Sequence, residues 1–348
     1  MEIVLGMSGG VDSAVAAYLL QQAGHHVHGV TLHMTDSAPP DIEGAQAVAK
    51  RLGIPFAVVD CREAFHREVE QYFADAYRRG ETPNPCVVCN RMVKLQALLA
   101  YANAHSYDGF ATGHYAKIGV DADQNKVLLR AADLQKDQSY MLYRITKEQL
   151  AALYLPLSDY TKPAIRKIAQ EQQLMPSVPH DSMDICFVPD GNYGSYLQKE
   201  HQMQPCSGAF LDADGAVIGH HEGQWLYTIG QRKGLGLACG KPVYVIGKDA
   251  HENTVTVGEE AGLFANICYL CQCNLLVTGT ETMRGTAKVR YSRTESPVTA
   301  HFFTNGTATL VFDTPQRAMT CGQSAVVYDG NRVIGGGIIC GVESRAER

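Results

Sequence analysis

Over the first half of the chain, short apolar runs alternate with longer amphipathic stretches. Residues 3–5 read as a strand, and Val11, Ala14, Val15, Tyr18 and Leu19 recur at the spacing of one helical face. Residues 27–32 and 56–59 predict two further strands, with a helix over 42–52 between them. A long helix is expected over 63–77, followed by a Pro-punctuated loop, a helix over 92–104 and a buried strand end at 109–112. Strands alternating with helices predict a parallel sheet covered on both faces, a Rossmann-like α/β domain.

The pattern changes from about Gly208 onward. Short β-rich segments at 209–211, 243–246, 254–257, 287–291, 307–312 and 325–328 are separated by Gly, Asp and Asn. Such spacing predicts small β domains, the last of them a barrel. The expected division is a nucleotide-binding domain over 1–200, a central β-rich domain over 201–260 and a C-terminal barrel over 261–348. Its boundaries fall at 195–207 and 258–266.

Composition adds little to this picture except exclusions. With 348 residues, 45% hydrophobic and 19% charged, the chain has apolar material for more than one core. No run approaches the ~18 uninterrupted apolar residues of a membrane helix. No basic region precedes the first strand, so neither secretion nor membrane insertion is expected and the location is expected to be cytoplasmic. In a reducing compartment the eleven cysteines point to catalysis or metal rather than to disulfides. A formal net charge of −6 argues mildly against a nucleic-acid partner. It leaves room for one wherever the basic residues gather.

Candidate chemistry begins at Gly6-Met7-Ser8-Gly9-Gly10-Val11-Asp12-Ser13, which joins the first strand to the first helix. Glycines admit an anion close to the backbone, and amides at a helix start supply donors. Ser8 and Ser13 add hydroxyls, while Asp12 either orients the loop or holds Mg2+. A strand–helix turn that merely needs glycine would not require the serines and the aspartate. No Gly-Lys-Ser/Thr follows, so this is not a Walker A loop. The segment resembles the SGGxDS signature of PP-loop ATP pyrophosphatases, which split ATP into AMP and pyrophosphate to activate a carbonyl oxygen.

Next comes Thr82-Pro83-Asn84-Pro85-Cys86-Val87-Val88-Cys89-Asn90. The two prolines set an extended approach, and the Cys-x-x-Cys is expected to open a helix at about Asn90. A thiol at a helix start is expected to have a lowered pKa. A third cysteine, Cys186, follows Asp184-Ile185.

Here the chain resembles the MnmA/TrmU family of tRNA-uridine 2-sulfurtransferases from one end to the other. The resemblance is carried by the two segments above together with Ala111-Thr112-Gly113-His114-Tyr115-Ala116, Lys136-Asp137-Gln138-Ser139-Tyr140 and Thr161-Lys162-Pro163. It continues through Asp184-Ile185-Cys186-Phe187, Tyr227-Thr228-Ile229-Gly230-Gln231-Arg232-Lys233-Gly234-Leu235-Gly236 and Val289-Arg290-Tyr291. It implies that Gly6, Met7, Ser8, Gly9, Gly10, Val11, Asp12 and Ser13, with Met34 and Gly113, bind ATP. It implies Cys89 as nucleophile and Cys186 as the carrier of persulfide sulfur. Asn84, Pro85 and Cys86 would lie against the target base. His114, Lys136, Asp137, Gln138, Arg290, Tyr291 and Gln323 match tRNA-contacting positions. ATP, Mg2+, tRNA and a cysteine desulfurase or sulfur-relay protein are the implied cofactors and partners. Two departures stand out: better-known members carry aspartate at Cys86, and the stretch after Met34, residues 35–40, is short.

The implied reaction is adenylation of the C2 oxygen of the wobble uridine, then sulfur transfer from a cysteine persulfide. Cys86 opens a second route, because Cys86, Cys89 and Cys186 are three thiolates of the kind that hold a [4Fe-4S] cluster.

Other features read more plainly. Cys268, Cys271 and Cys273 lie amid a strand pattern, although their tight spacing would suit a turn. Lys162, Arg166 and Lys167 read as a solvated helix face, and Trp225 as packing. A PP-loop amidotransferase or synthetase would leave the cysteine trio unused. A redox-sensing nucleotide-binding module would leave the β-rich second half unexplained.

Overall fold

The structure is a computed structural model that describes residues 1–37, 39–175, 185–188, 190–277, 281–292 and 294–344. The chain divides into two compact units. The first comprises residues 1–70, 85–191 and 330–335, and the second residues 71–84, 192–329 and 336–348.

The first unit is built on a five-stranded parallel sheet. Its strands are β1 (Glu2–Gly6), β2 (His26–His33), β3 (Phe56–Asp60), β4 (Gly109–Ala111) and β7 (Leu153–Tyr154), in the order β3-β2-β1-β4-β7. Ile3, Val4 and Leu5 are wholly buried, so β1 reads as an unbroken apolar run rather than an alternation, as a strand covered on both faces should. The strand order reverses direction at β1, between β2 and β4. In such sheets the crevice beyond the carboxyl ends at that point takes the ligand. Helix α1 (Val11–Gln22) covers one face and buries its Ala14-Val15-Ala16-Ala17 run, small residues that let helix and sheet approach closely. Helix α2 (Ile42–Leu52) starts where the Asp41 carboxylate accepts from Gly44 N at 2.8 Å and stops at Gly53, whose φ is +66°. A hairpin that the sequence pattern did not suggest, β5 (Lys117–Val120) with β6 (Lys126–Leu129), also lies in this unit.

The helix expected over 63–77 is a composite. Arg62–Phe65 is α-helical, His66–Glu70 widens to i→i+5 hydrogen bonding, and Gln71–Arg78 is α-helical again. Its last part, with the loop to Asn84, belongs to the second unit.

The second unit contains two β structures. A four-stranded sheet has the order β10-β11-β8-β9, from β8 (Gly208–Leu211), β9 (Val217–His221), β10 (Tyr244–Asp249) and β11 (Thr254–Gly258). It closes over a small core of Phe210, Leu235, Val245, Val255 and Val257. The second is a closed six-stranded barrel of β12 (Phe264–Leu275), β13 (Thr282–Lys288), β14 (Ser296–Phe302), β15 (Ala308–Arg317), β16 (Ser324–Asp329) and β17 (Arg332–Glu343). The order runs β12-β15-β14-β13-β16-β17, and pairing of β12 with β17 closes the ring. Cys268, Cys271 and Cys273 all lie within β12, so the strand pattern prevailed over their spacing. The left-handed Gln272 (φ +49°) supplies the irregularity that the spacing hinted at. The strand expected over 287–291 ends at Lys288. Among the described residues no helix is long and apolar enough to cross a membrane.

Candidate active site

The loop between β1 and α1 is shaped to receive an anion. Helix α1 is preceded by Gly10, which gives no side-chain cap, so its first amides remain available at a half-buried helix start. Gly9 has φ +80°, and a Cβ there would stand 2.7 Å from Asp41 Cβ, so only glycine fits. Ser8 N donates to Ser13 Oγ at 3.2 Å, and Ser13 Oγ donates to Gly10 O at 2.9 Å, curling the loop on itself. Buried Met7 ties it to β2: its N donates to Val30 O, and its O accepts from Thr31 Oγ1, both at 2.8 Å. Val11 opens the helix. Gly113, beyond the end of β4, lies so near that a Cβ would be 3.2 Å from Ser13 N.

Asp12 is answered by two donors. Tyr115 Oη donates to Oδ1 at 2.8 Å, and Lys162 Nζ reaches Oδ1 at 2.9 Å and Oδ2 at 2.7 Å. Lys162 therefore does not lie on the solvated face expected of it; it is buried, while Arg166 and Lys167 are exposed. Thr161 and Pro163 start the helix Lys162–Glu171 in the orientation that turns Lys162 inward. The pair leaves the loop without net negative charge, which favours an incoming polyphosphate. With both oxygens engaged, Asp12 orients the loop and is not presented as a ligand for Mg2+.

The cysteine segment differs from expectation in two respects. Its helix, Pro85–Cys89, starts at the proline rather than near Asn90. Proline suits that first position because φ is already helical and no amide is wasted. Cys86 thus sits in the first turn and Cys89 at its end, and the chain then widens into an i→i+5 turn over Asn90–Lys94 before Leu95–Ala104 resumes. Regular α spacing would leave Lys94 about 140° around the helix from Cys89. An i→i+5 turn instead brings the residue five on nearly above it. Buried Gln149 donates to Arg91 O at 2.8 Å, and Asn90 Nδ2 to Met141 O at 3.1 Å, which pins the widened turn.

The second departure is electrostatic. Burial outweighs the helix start and pushes the Cys89 thiol up to about 12, with Lys94 pulling the other way. Cys86 is raised for the same reason and is likewise opposed by Lys94. Burial would lower the Lys94 ammonium, yet its pKa is raised, because Cys89, Cys186 and Cys86 all favour the cation. Three sulfurs and one ammonium thus share one neighbourhood. Cys89 Sγ lies 3.9 Å from Met34 Sδ, immediately after β2, which places the thiol at the carboxyl ends of the strands, the side of the sheet that carries the phosphate loop. Cys186 is exposed, and Asp184 before it lies outside the described residues.

Among the described residues no group of three or more Cys, His, Asp or Glu side chains is gathered so as to hold a metal ion. Cys86, Cys89 and Cys186 are accordingly not gathered as metal ligands among the described residues.

The remaining positions divide into buried and presented. His114 Nδ1 lies 2.8 Å from Thr112 Oγ1, and burial with the nearby Lys94 charge holds its pKa down to about 3, so the ring is neutral. Asp137 is turned inward, accepting from Ala131 N, Ser139 N and Ser139 Oγ. Gln138 Oε1 accepts from Tyr115 N at 2.9 Å. Lys136, by contrast, is exposed. In the second unit Arg290 and Tyr291 are exposed in the bend after β13, and Gln323 is half-buried. Asn84 and Pro85 lead into the cysteine helix.

Sequence reasoning missed Lys94 and the Asp12 partners Lys162 and Tyr115. A cation five residues beyond a cysteine gives no signal unless the helix is known to be irregular, and an inward lysine looks like any other lysine in the residue order.

Known proteins resemble the chain along nearly all of its length. Residues 1–190 match the family described as "tRNA methyl transferase HUP domain", 194–259 "tRNA methyl transferase PRC-barrel domain" and 265–339 "Aminomethyltransferase beta-barrel domain". A protein of Moorella thermoacetica named tRNA-specific 2-thiouridylase MnmA is 45% identical over 351 residues, spanning 97% of this chain and 98% of that one. Proteins of the same name from Clostridioides difficile (43%, spanning 97% and 98%) and Treponema denticola (41%, spanning 99% of each) are similar to it in the same way. Among solved structures, the U34-tRNA thiolase NcsA from Methanococcus maripaludis with its [4Fe-4S] cluster aligns at a TM-score of 0.36 and 16% identity. That alignment spans 58% of this chain and 66% of that one, too loose a likeness to argue from.

Proposed function

The chain belongs to the family of tRNA-specific 2-thiouridylases named MnmA, which are sulfurtransferases, and from that premise we propose that it thiolates C2 of a tRNA wobble uridine by adenylation followed by persulfide transfer. ATP binds with its phosphates over the amides of Gly9 to Ser13, and Met34 and Gly113 flank the nucleotide. The C2 oxygen attacks the α-phosphorus, pyrophosphate leaves, and the oxygen becomes a good leaving group. The terminal sulfur of a persulfide on Cys186 then bonds to C2, and AMP departs with the oxygen. The Cys89 thiolate attacks the Cys186 sulfur and displaces thiouridine, leaving a Cys89–Cys186 disulfide for a dithiol to reduce.

The observation that carries this reading is the placing of Cys89 against Met34 while it shares Lys94 with Cys86 and Cys186. It brings sulfur chemistry to the carboxyl ends of the strands, where the phosphate loop stands. Exposed Cys186 is where a cysteine desulfurase or relay protein would load sulfur. Lys136, Arg290 and Tyr291 are exposed and suited to meeting tRNA, and neutral His114 can offer a hydrogen bond there without a charge.

The test uses ATP, tRNA transcript, a desulfurase and cysteine. Cys186→Ser is expected to abolish 2-thiouridine, whereas Cys89→Ser should accumulate tRNA disulfide-linked to Cys186. Cys86→Asp should stay active without iron. Normal turnover by Cys89→Ser, or activity of the parent that depends on iron, would overturn the persulfide route.

A further inference from the structure

The approach to the cysteine helix has an unusual need for hydrogen bonds. In Thr82-Pro83-Asn84-Pro85 two of four residues lack an amide, so the stretch cannot satisfy its own carbonyls by a regular pattern. The partners come from the loop that joins β15 to β16. Thr82 N donates to Cys321 O at 2.8 Å. Gln323 Nε2 donates to Thr82 O at 2.8 Å and to Pro83 O at 3.3 Å. Gly322 lies between them with φ +91°, and a Cβ on it would stand 2.9 Å from Thr82 N and from Glu81 Cβ, so the two backbones meet only at glycine. Gln323 is itself held by backbone bonds, its N donating to Thr320 O and its O accepting from Ile339 N. Upstream, Gln224 Nε2 donates to Tyr77 O at 3.2 Å, and the Tyr77 ring stacks on Tyr193 at 4.7 Å. Residues 77–83 are therefore fastened at both ends within the second unit.

We infer that Gln323 is a positioning residue for the thiolation reaction: its carboxamide clamps Thr82 and Pro83, and through the bonded Asn84 and Pro85 it sets where the cysteine helix begins. The inference rests on the proposed role of residues 84–86 at the target base. The Gln323 carboxamide spends its donors on the carbonyls of Thr82 and Pro83. Glycine at 322 and the two prolines make the clamp stiff, so an error at residue 82 passes to Cys86 instead of dissipating in the loop.

Three variants of the full chain test this. Gln323→Glu is nearly isosteric but cannot donate and turns a carboxylate on two carbonyls; Gln323→Met removes the bonds; Gln323→Lys keeps a donor. Two readouts are followed: single-turnover thiolation with tRNA affinity measured separately, and the iodoacetamide alkylation rate of Cys86 in tRNA-free enzyme, read by peptide mass spectrometry. The Glu and Met variants should lose roughly ten-fold in single-turnover rate, in keeping with about one hydrogen bond, while tRNA Kd stays within about two-fold. Their Cys86 alkylation rate should shift several-fold without tRNA, and Gln323→Lys, which keeps a donor, should shift it less than either. A loss confined to tRNA Kd, or Cys86 alkylation unchanged in both the Glu and the Met variants, overturns the clamp. A parent that fails to thiolate, while the Glu and Met variants still alter alkylation, would overturn the proposed reaction and leave the clamp standing.

Discussion

Single residues decide the electrostatics of this site, and two lysines do most of it. Lys162 neutralises Asp12 inside the phosphate loop. Lys94 is the cation beside the buried Cys89 thiol, and it opposes a desolvation that otherwise keeps the thiol protonated. Removing it should raise the Cys89 pKa further and lower the thiolate fraction at any pH below that value. Lys94→Met is accordingly expected to slow Cys89 alkylation at pH 8 and single-turnover thiolation together, by about ten-fold for each unit of pKa gained. ATP affinity should be unchanged. Equal alkylation rates for parent and variant would contradict the assignment. The cysteines themselves were legible in the residue order, because Cys-x-x-Cys with a distant third cysteine is an uncommon pattern. Their ionisation was not, since a helix start argued for a lowered pKa and burial reversed it.

At the scale of elements, irregularities carry the function. The strand–loop–helix at residues 2–22 was readable, because an apolar run, a glycine cluster and a helical face follow one another in order. The loop tolerates no side chain at Gly9, where φ is positive and Asp41 stands in the way. Gly9→Ala should cost about 1 kcal/mol or more in stability, since alanine is strained there. It should also raise the KM for ATP, with Cys186 persulfidation by a desulfurase left intact. Thermal melts and ATP titration check this, and an unchanged KM would mean that the loop does not hold nucleotide. The two i→i+5 turns, His66–Glu70 and Asn90–Lys94, were not readable at all. Apolar periodicity averages over several turns, and one extra residue in a turn leaves the helical pattern looking continuous.

The molecule as a whole is rich in thiols whose ionisation burial opposes. Desolvation raises Cys61 and Cys271 to about 11 and Cys89 and Cys273 to about 12, and it raises Cys86, Cys268 and Cys321 as well. Each keeps its proton in the folded state where the unfolded chain, with an ordinary value near 9, has lost it. The stabilisation is complete below pH 9 and disappears as pH climbs through the folded values. Lys248, held down to about 8 from 10.5 by burial, and Lys126, lowered by burial as well, act in the opposite sense, but they are two groups against seven. Under reductant, Tm should therefore fall steeply between pH 9 and 11; a flat profile there would contradict the buried neutral thiols. By itself the order of residues determined the α/β class, the parallel sheet with its phosphate loop after the first strand, and the β-rich second half. These follow from apolar periodicity, glycine and local turn chemistry, which act over a few neighbours. Only the tertiary structure decided that Lys162 and Asp137 face inward, that Lys94 stands over the cysteines, and that a barrel loop grips the approach to them. Each of these depends on what packs against the residue from far along the chain, where burial sets the cost of a charge and backbone carbonyls without local partners must find distant ones.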